Sequence, residues 1–175
     1  GMHLVLANKS PLALAHDELL DLAAANDVGI LYSATFCGGL PVLNVIRRDM
    51  VCGNIARLRG IFNGTTNFML AEMLAGNDYA TALQQAQDIG AAEADPGFDV
   101  GGWDTAAKLV IAANQFCEPM ISLADVDVTG IENISAGDLQ SCRKEGQSLK
   151  LVASAERIDD TWRLKVEPTA IPADS

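Results

Sequence analysis

Positive charge is scarce in this 175-residue chain: 12 Lys and Arg stand against 23 Asp and Glu, a net charge of -11. Phosphate backbones demand clustered Lys and Arg, so nucleic acid is not an expected partner. Long apolar runs are missing too. None approaches the roughly 20 residues needed to cross a bilayer, and no signal-peptide pattern is present, so no membrane association is expected. Cysteine is sparse and scattered: Cys37, Cys52, Cys117 and Cys142, with no C-x-x-C. That spacing favours neither a metal centre nor a disulfide framework and suits reduced thiols in the cytoplasm. There is no G-x-G-x-x-G after a first strand, hence no dinucleotide fingerprint. No segment repeats, and His3 and His16 have no partner spacing.

Hydrophobic residues make up 49% of the chain, enough for a core, and the length suits one domain, or one and a small appendage. The pattern predicts a short strand over 3–7, then a helix from an N-cap Ser10 with Pro11 at its first position, running to about Asn26. Val28 to Thr35 reads as a buried strand. A glycine turn at Gly38-Gly39 leads into a helix from Pro41 to about Arg48, and a strand is expected over 54–62. Asn63-Gly-Thr-Thr-Asn67 opens a helix that Gly76 closes. Helices follow over 79–89 and 104–116, with Gly90 ending the first. A strand is expected over 126–131 and a polar helix over 136–145. Two β-rich runs, 149–158 and 162–167, flank Asp159-Asp160 as an antiparallel hairpin. Together these predict an α+β fold with a mixed, largely antiparallel sheet covered by helices.

The densest chemistry lies between Gly90 and Lys108. Glu93, Asp95, Asp99, Asp104 and Lys108 fall within nineteen residues, among turn-forming glycines and Pro96. Asp104 and Lys108 are four apart at the head of an apolar run, which stacks them on one helix face. Alone, such a pair is an exposed salt bridge of a few tenths of a kcal/mol. The extra acids change the balance, because so many like charges around one loop call for a cation such as a substrate ammonium. Asn63-Gly-Thr65-Thr66-Asn67 is either a plain helix cap or an anion site built from helix amides and hydroxyls. Lys9 ends a strand, where it is either a solvated loop lysine or a ligand contact. The Gly38-Gly39 turn is either helix-entry geometry or a backbone approach to an ion.

Taken in order, four blocks resemble homoserine dehydrogenase: Gly1-Met-His-Leu-Val-Leu-Ala7-Asn8-Lys9, Ala34-Thr-Phe-Cys-Gly38-Gly39-Leu-Pro41, Gly60-Ile-Phe-Asn63-Gly-Thr65-Thr-Asn67-Phe-Met-Leu, and Gly90 to Lys108. The weaker patterns Val128-Thr-Gly-Ile and Leu149-Lys-Leu-Val also fit, so the resemblance covers nearly the whole chain. It implies interconversion of L-aspartate 4-semialdehyde and L-homoserine with NAD(P)H, on the branch to threonine, isoleucine and methionine. It implies that Lys108 protonates the carbonyl oxygen and that Lys9 assists near cofactor and substrate. Glu93 and Asp104 bind the amino acid, with Thr65 a further substrate contact, and Gly90 and Glu93 touch the nicotinamide cofactor. It also implies a sodium ion on the backbone carbonyls of Ser33, Phe36, Gly38 and Leu40, with Ser33 replacing a glutamate common in the family.

The family carries a Rossmann domain ahead of the strand ending in Ala-Asn-Lys. On this reading residues 1–175 are the substrate and dimerisation domain of such an enzyme, a homodimer through its sheet and inactive alone. The choice of NAD or NADP then rests with the nucleotide domain. Two alternatives stand beside it. One is a freestanding binding or assembly module that has lost catalysis. The other is a related oxidoreductase with a different small substrate. Retention of Lys9, Glu93, Asp104 and Lys108 favours the enzyme.

Overall fold

A computed structural model describes residues 1–50 and 52–174. In chain order the elements are β1 (Leu4–Val5), α1 (Ser10–Ala25), β2 (Ile30–Leu31), a 3-10 turn at Ser33–Thr35, α2 (Val42–Asn44) running into a π-helical turn at Val45–Asp49, and β3 (Arg57–Gly60). Then follow α3 (Gly64–Ala75), α4 (Tyr79–Asp88), α5 (Gly97–Val100), α6 (Trp103–Ala113), β4 (Val126–Val128), α7 (Ala136–Lys144), β5 (Gln147–Ile158) and β6 (Thr161–Pro172). Strands β1 and β2 pair in parallel as a two-stranded sheet. The other four form a mostly antiparallel sheet in the order β3-β5-β6-β4, flanked by helices. The expected α+β class is therefore what the chain adopts.

Local chemistry explains most elements. At the β5–β6 turn, Asp159 and Asp160 have φ of 47° and 63°. Two left-handed residues in a two-residue loop make the primed turn whose twist matches an antiparallel pair. The strands extend past the predicted runs to twelve residues each. Helix α3 begins at Asn63, whose side chain accepts from the Thr66 amide, and ends at Gly76 in the left-handed region at φ 116°. Helix α7 starts in a Ser135/Asp138 capping box.

Three expectations fail. Ser10 does not cap α1: Lys9 stands at the N-cap and its side chain makes no capping bond to the helix, and Ser10 donates its amide to Asn8 Oδ1 at 3.1 Å. The helix also breaks step at Ala15 (φ -145°, ψ 44°). The buried strand expected over 28–35 shrinks to Ile30–Leu31, with Leu31 67% exposed. Among the described residues it pairs with β1 over two residues, and the chain then turns at Ser33–Thr35, where Tyr32 and Thr35 are buried without joining a sheet. The helix expected over 41–48 is α-helical for one turn and then widens to π.

The chain folds as two compact units. One comprises Gly1–Leu58, Ala106–Val126 and Ser154–Leu164; the other Arg59–Thr105, Asp127–Ala153 and Lys165–Ser175. The first buries Leu12, Tyr32, Phe36, Leu43, Leu109, Val110 and Ile111. Its Tyr32 takes a hydrogen bond from or to His16 Nε2 at 3.3 Å and carries the Arg47 guanidinium over its ring at 4.3 Å. The second buries Met69, Leu70, Ala82, Ile131, Leu139, Leu151 and Val166. Each fully buried aliphatic side chain contributes about 1.5–3 kcal/mol relative to exposure. Among the described residues no helix is long and apolar enough to cross a membrane.

Candidate functional site

Two of the four acids in the Gly90–Lys108 stretch, Asp99 and Asp104, share a partner 27 positions upstream of Gly90. Asn63 sits at the N-cap of α3, and its Oδ1 accepts from the Thr66 amide at 2.8 Å. Its Nδ2 donates to Asp99 Oδ1 at 2.7 Å and to Asp104 Oδ2 at 2.9 Å. Asn63 is 5% exposed and Asp104 4%. Burying a carboxylate is costly unless donors face it, and the amide supplies one to each acid.

The surrounding backbone places these groups. Asp99 lies in the first turn of α5 and Asp104 in the first turn of α6. Gly102, between them, has φ 85° and supplies the turn into α6. Gly130 packs against this bend so closely that a Cβ there would collide with the Val100 carbonyl. The Ile131 amide then donates to Val100 O at 2.8 Å and fixes the approach.

Thr65 is buried. Its hydroxyl donates to the Ala91 carbonyl at 2.6 Å and reaches Asp99 Oδ2 at 3.4 Å. Thr66 turns its hydroxyl back on the Asn63 carbonyl at 3.4 Å. Both hydroxyls thus face acceptors, and the Thr66 amide is taken by the Asn63 cap. Asp95 accepts from the Gly97 amide at 3.2 Å, which shapes the turn into α5. Glu93 is exposed, with its carbonyl held by Gln87 Nε2 at 3.1 Å. Gly90 is exposed at φ 74°, with open space where a Cβ would lie. Beside the acids, Phe98 and Trp103 remain 49% and 43% exposed.

In the other unit, Lys9 is half-buried at the entry to α1 and Lys108 is half-buried on α6. The Cys37 thiol is pushed up by burial, and the nearby Lys108 ammonium opposes that shift. Cys37 lies in the turn after Phe36. In that turn the Ser33 carbonyl accepts from the Phe36 amide at 3.5 Å and the Leu40 carbonyl from Val42 at 2.9 Å. Each of these two carbonyls keeps a second lone pair. Buried Cys117 is pushed up to about 12 by burial alone and is inert as a nucleophile. Among the described residues no cluster of three or more His, Cys, Asp or Glu is arranged to hold a metal.

Asn63 is the participant that sequence reasoning passed over. Its capping role is legible from the Asn-x-x-Thr spacing, whereas the direction of its amide nitrogen depends on residues 36 and 41 positions away.

Comparison with known proteins agrees with this picture. The family model described as homoserine dehydrogenase matches residues 41–175. A homoserine dehydrogenase from Methanocaldococcus jannaschii is 40% identical over 174 residues, covering 99% of this chain and 51% of that protein. An NAD(+)-dependent homoserine dehydrogenase from Pseudomonas canavaninivorans is 37% identical, covering 99% of this chain and 50% of that protein. The solved homoserine dehydrogenase of Thiobacillus denitrificans superposes with a TM-score of 0.93 at 36% identity, over 98% of this chain and 40% of that one. The chain spans about half the length of the curated relatives it matches. From its sequence, its fold and these likenesses, the chain belongs to the homoserine dehydrogenase family.

Proposed function

We propose that residues 1–175 are the substrate-binding and dimerisation domain of an enzyme interconverting L-homoserine and L-aspartate 4-semialdehyde. The observation that carries this reading is the buried Asp104 carboxylate, joined through Asn63 to Asp99. A set of acids held in this way suits the ammonium group of an amino acid. Glu93 and Asp104 bind that ammonium, and Thr65, in the first turn of α3, contributes where backbone amides face the substrate carboxylate.

Lys108 acts as the acid/base. Reduction of the aldehyde builds negative charge on the carbonyl oxygen, which an ammonium stabilises and protonates. In the reverse direction the same lysine, as the free amine, accepts the hydroxyl proton. Lys9 assists near substrate and cofactor. NAD(P)(H) supplies or accepts the hydride when bound. Gly90, with its open backbone face, Glu93 and Lys9 are the residues here that would contact it. These 175 residues hold no dinucleotide fingerprint, so turnover draws on chain beyond them, and the choice between NAD and NADP rests there.

The same reading makes the protein a cytoplasmic homodimer on the route to threonine, methionine and isoleucine. It also takes a sodium ion on the carbonyls of Ser33, Phe36, Gly38 and Leu40. Raising NaCl against choline chloride should then raise the melting temperature, with no dependence on substrate. Sedimentation at tens of micromolar, an order-of-magnitude choice for a modest interface, checks the dimer.

The chemistry is tested in the full-length protein by comparing Lys108→Ala with Lys9→Ala. Removing a proton donor costs roughly 10²–10⁴-fold in rate, so Lys108→Ala should depress kcat by that factor with a smaller change in KM. If Lys9→Ala abolishes turnover while Lys108→Ala leaves it nearly intact, the two roles are reversed. Lack of homoserine turnover by the unaltered full-length protein would favour the freestanding binding module.

A further inference from the structure

A helix cap needs one oxygen from its N-cap side chain, and serine, threonine or aspartate supplies it as well as asparagine does. Asn63 delivers that oxygen to Thr66 and in addition aims its nitrogen at two acids. The amide's orientation is fixed by chemistry. Reversing it would put an N–H against the Thr66 N–H and a carbonyl against two carboxylates. Nothing about starting α3 calls for that nitrogen. It serves Asp99 and Asp104, which reach it from the first turns of two other helices. Two carboxylates within hydrogen-bond distance of one nitrogen repel each other. A neutral donor between them offsets part of that cost and fixes which oxygens converge. It contributes no charge that would compete with an incoming cation.

We propose that Asn63 is a positioning residue that holds Asp99 and Asp104 together as a joint acceptor for the substrate's ammonium group. This rests on the dehydrogenase reading given above. It extends that reading by assigning substrate affinity to a side chain at a helix cap, and by pairing Asp99 with Asp104 as one acceptor.

Two measurements test it. The first uses this chain without substrate. In ¹⁵N-resolved spectra the two side-chain amide protons of Asn63 should respond separately, one to Asp99→Asn and the other to Asp104→Asn. If neither substitution moves either proton, the bridge does not exist and the proposal falls. The second uses the full-length dehydrogenase with Asn63→Ser, which keeps a cap oxygen but removes the nitrogen. KM for homoserine should rise about tenfold or more, with kcat changed by less than about threefold. Asn63→Asp keeps the cap and turns a third carboxylate on the other two, so it should raise KM further. An unchanged KM in Asn63→Ser overturns the proposal, as does a loss confined to kcat. If the unaltered enzyme has no activity on homoserine, the functional reading fails by itself. The spectra then still decide whether Asn63 holds the two acids.

Discussion

Two kinds of acid stand at helix starts in this protein. Asp125 and Asp138 sit three residues after a serine and close capping boxes with Ser122 and Ser135. Asp99 and Asp104 also lie in first turns, yet each accepts a hydrogen bond from Asn63, far away in the chain. The first kind is satisfied by its own turn. The hydroxyl and amide of the capping serine hold the Asp125 and Asp138 carboxyls below the usual carboxylate range, and both stay exposed. The second kind is assembled by tertiary folding, and Asp104 is driven into the interior with it. The same residue type in the first turn of a helix is thus held by its own turn in one case and by a distant side chain in the other. The partner's distance along the chain separates them.

The contrast predicts separable phenotypes. The largest effect falls on the assembled acids. Asp104→Asn in the full-length enzyme should raise KM for homoserine about 10- to 100-fold, the loss expected for a charge-assisted contact. Steady-state kinetics against homoserine measures it. An unaltered KM would place Asp104 with the structural acids and erase the distinction.

A smaller effect, in a different observable, belongs to the local acids. Ser135→Ala removes the hydroxyl of the α7 box and should lower stability by about 1 kcal/mol in denaturant unfolding. KM and kcat should not change. A kinetic defect from this substitution would mean that the capping boxes are not confined to local structure.

The smallest effect tests whether environment outweighs a sequence neighbour. His16 has Asp17 beside it, with Nδ1 3.5 Å from the carboxylate. That neighbour raises its pKa, but burial lowers it more, with the Arg47 charge adding slightly in the same direction, so the net shift is downward. A histidine whose folded pKa lies below its unfolded value of about 6.5 binds more protons when unfolded. Its contribution is fully present above that value and is lost as pH falls below it toward the folded pKa. Stability of the chain should therefore decline on acidification below about pH 6.5. His16→Gln should flatten that limb of the curve. A slope of the opposite sign would mean that Asp17 outweighs burial.

Much of the architecture was legible because short-range chemistry specifies it. The Asp159-Asp160 turn, the α3 start at Asn63 and its end at Gly76, and the α7 box each rest on residues within a few positions of one another. The failures share a cause as well. Val28 to Thr35 has the composition of a strand, but strand length depends on the neighbour's edge, and β1 offers only two residues. Ser10-Pro11 has the form of a helix start, but Ser10 donates its amide to Asn8 and the cap shifts to Lys9.

The site divides in the same way. The i,i+4 placement of Asp104 and Lys108 and the crowding of acids after Gly90 are properties of the sequence, fixed by helical periodicity and by charge. Which acids are buried, which stay in solvent, and which donor they share were decided by tertiary structure. A side-chain amide directs its hydrogen bonds over about 3 Å, and only folding brings residues 63, 99 and 104 within that distance.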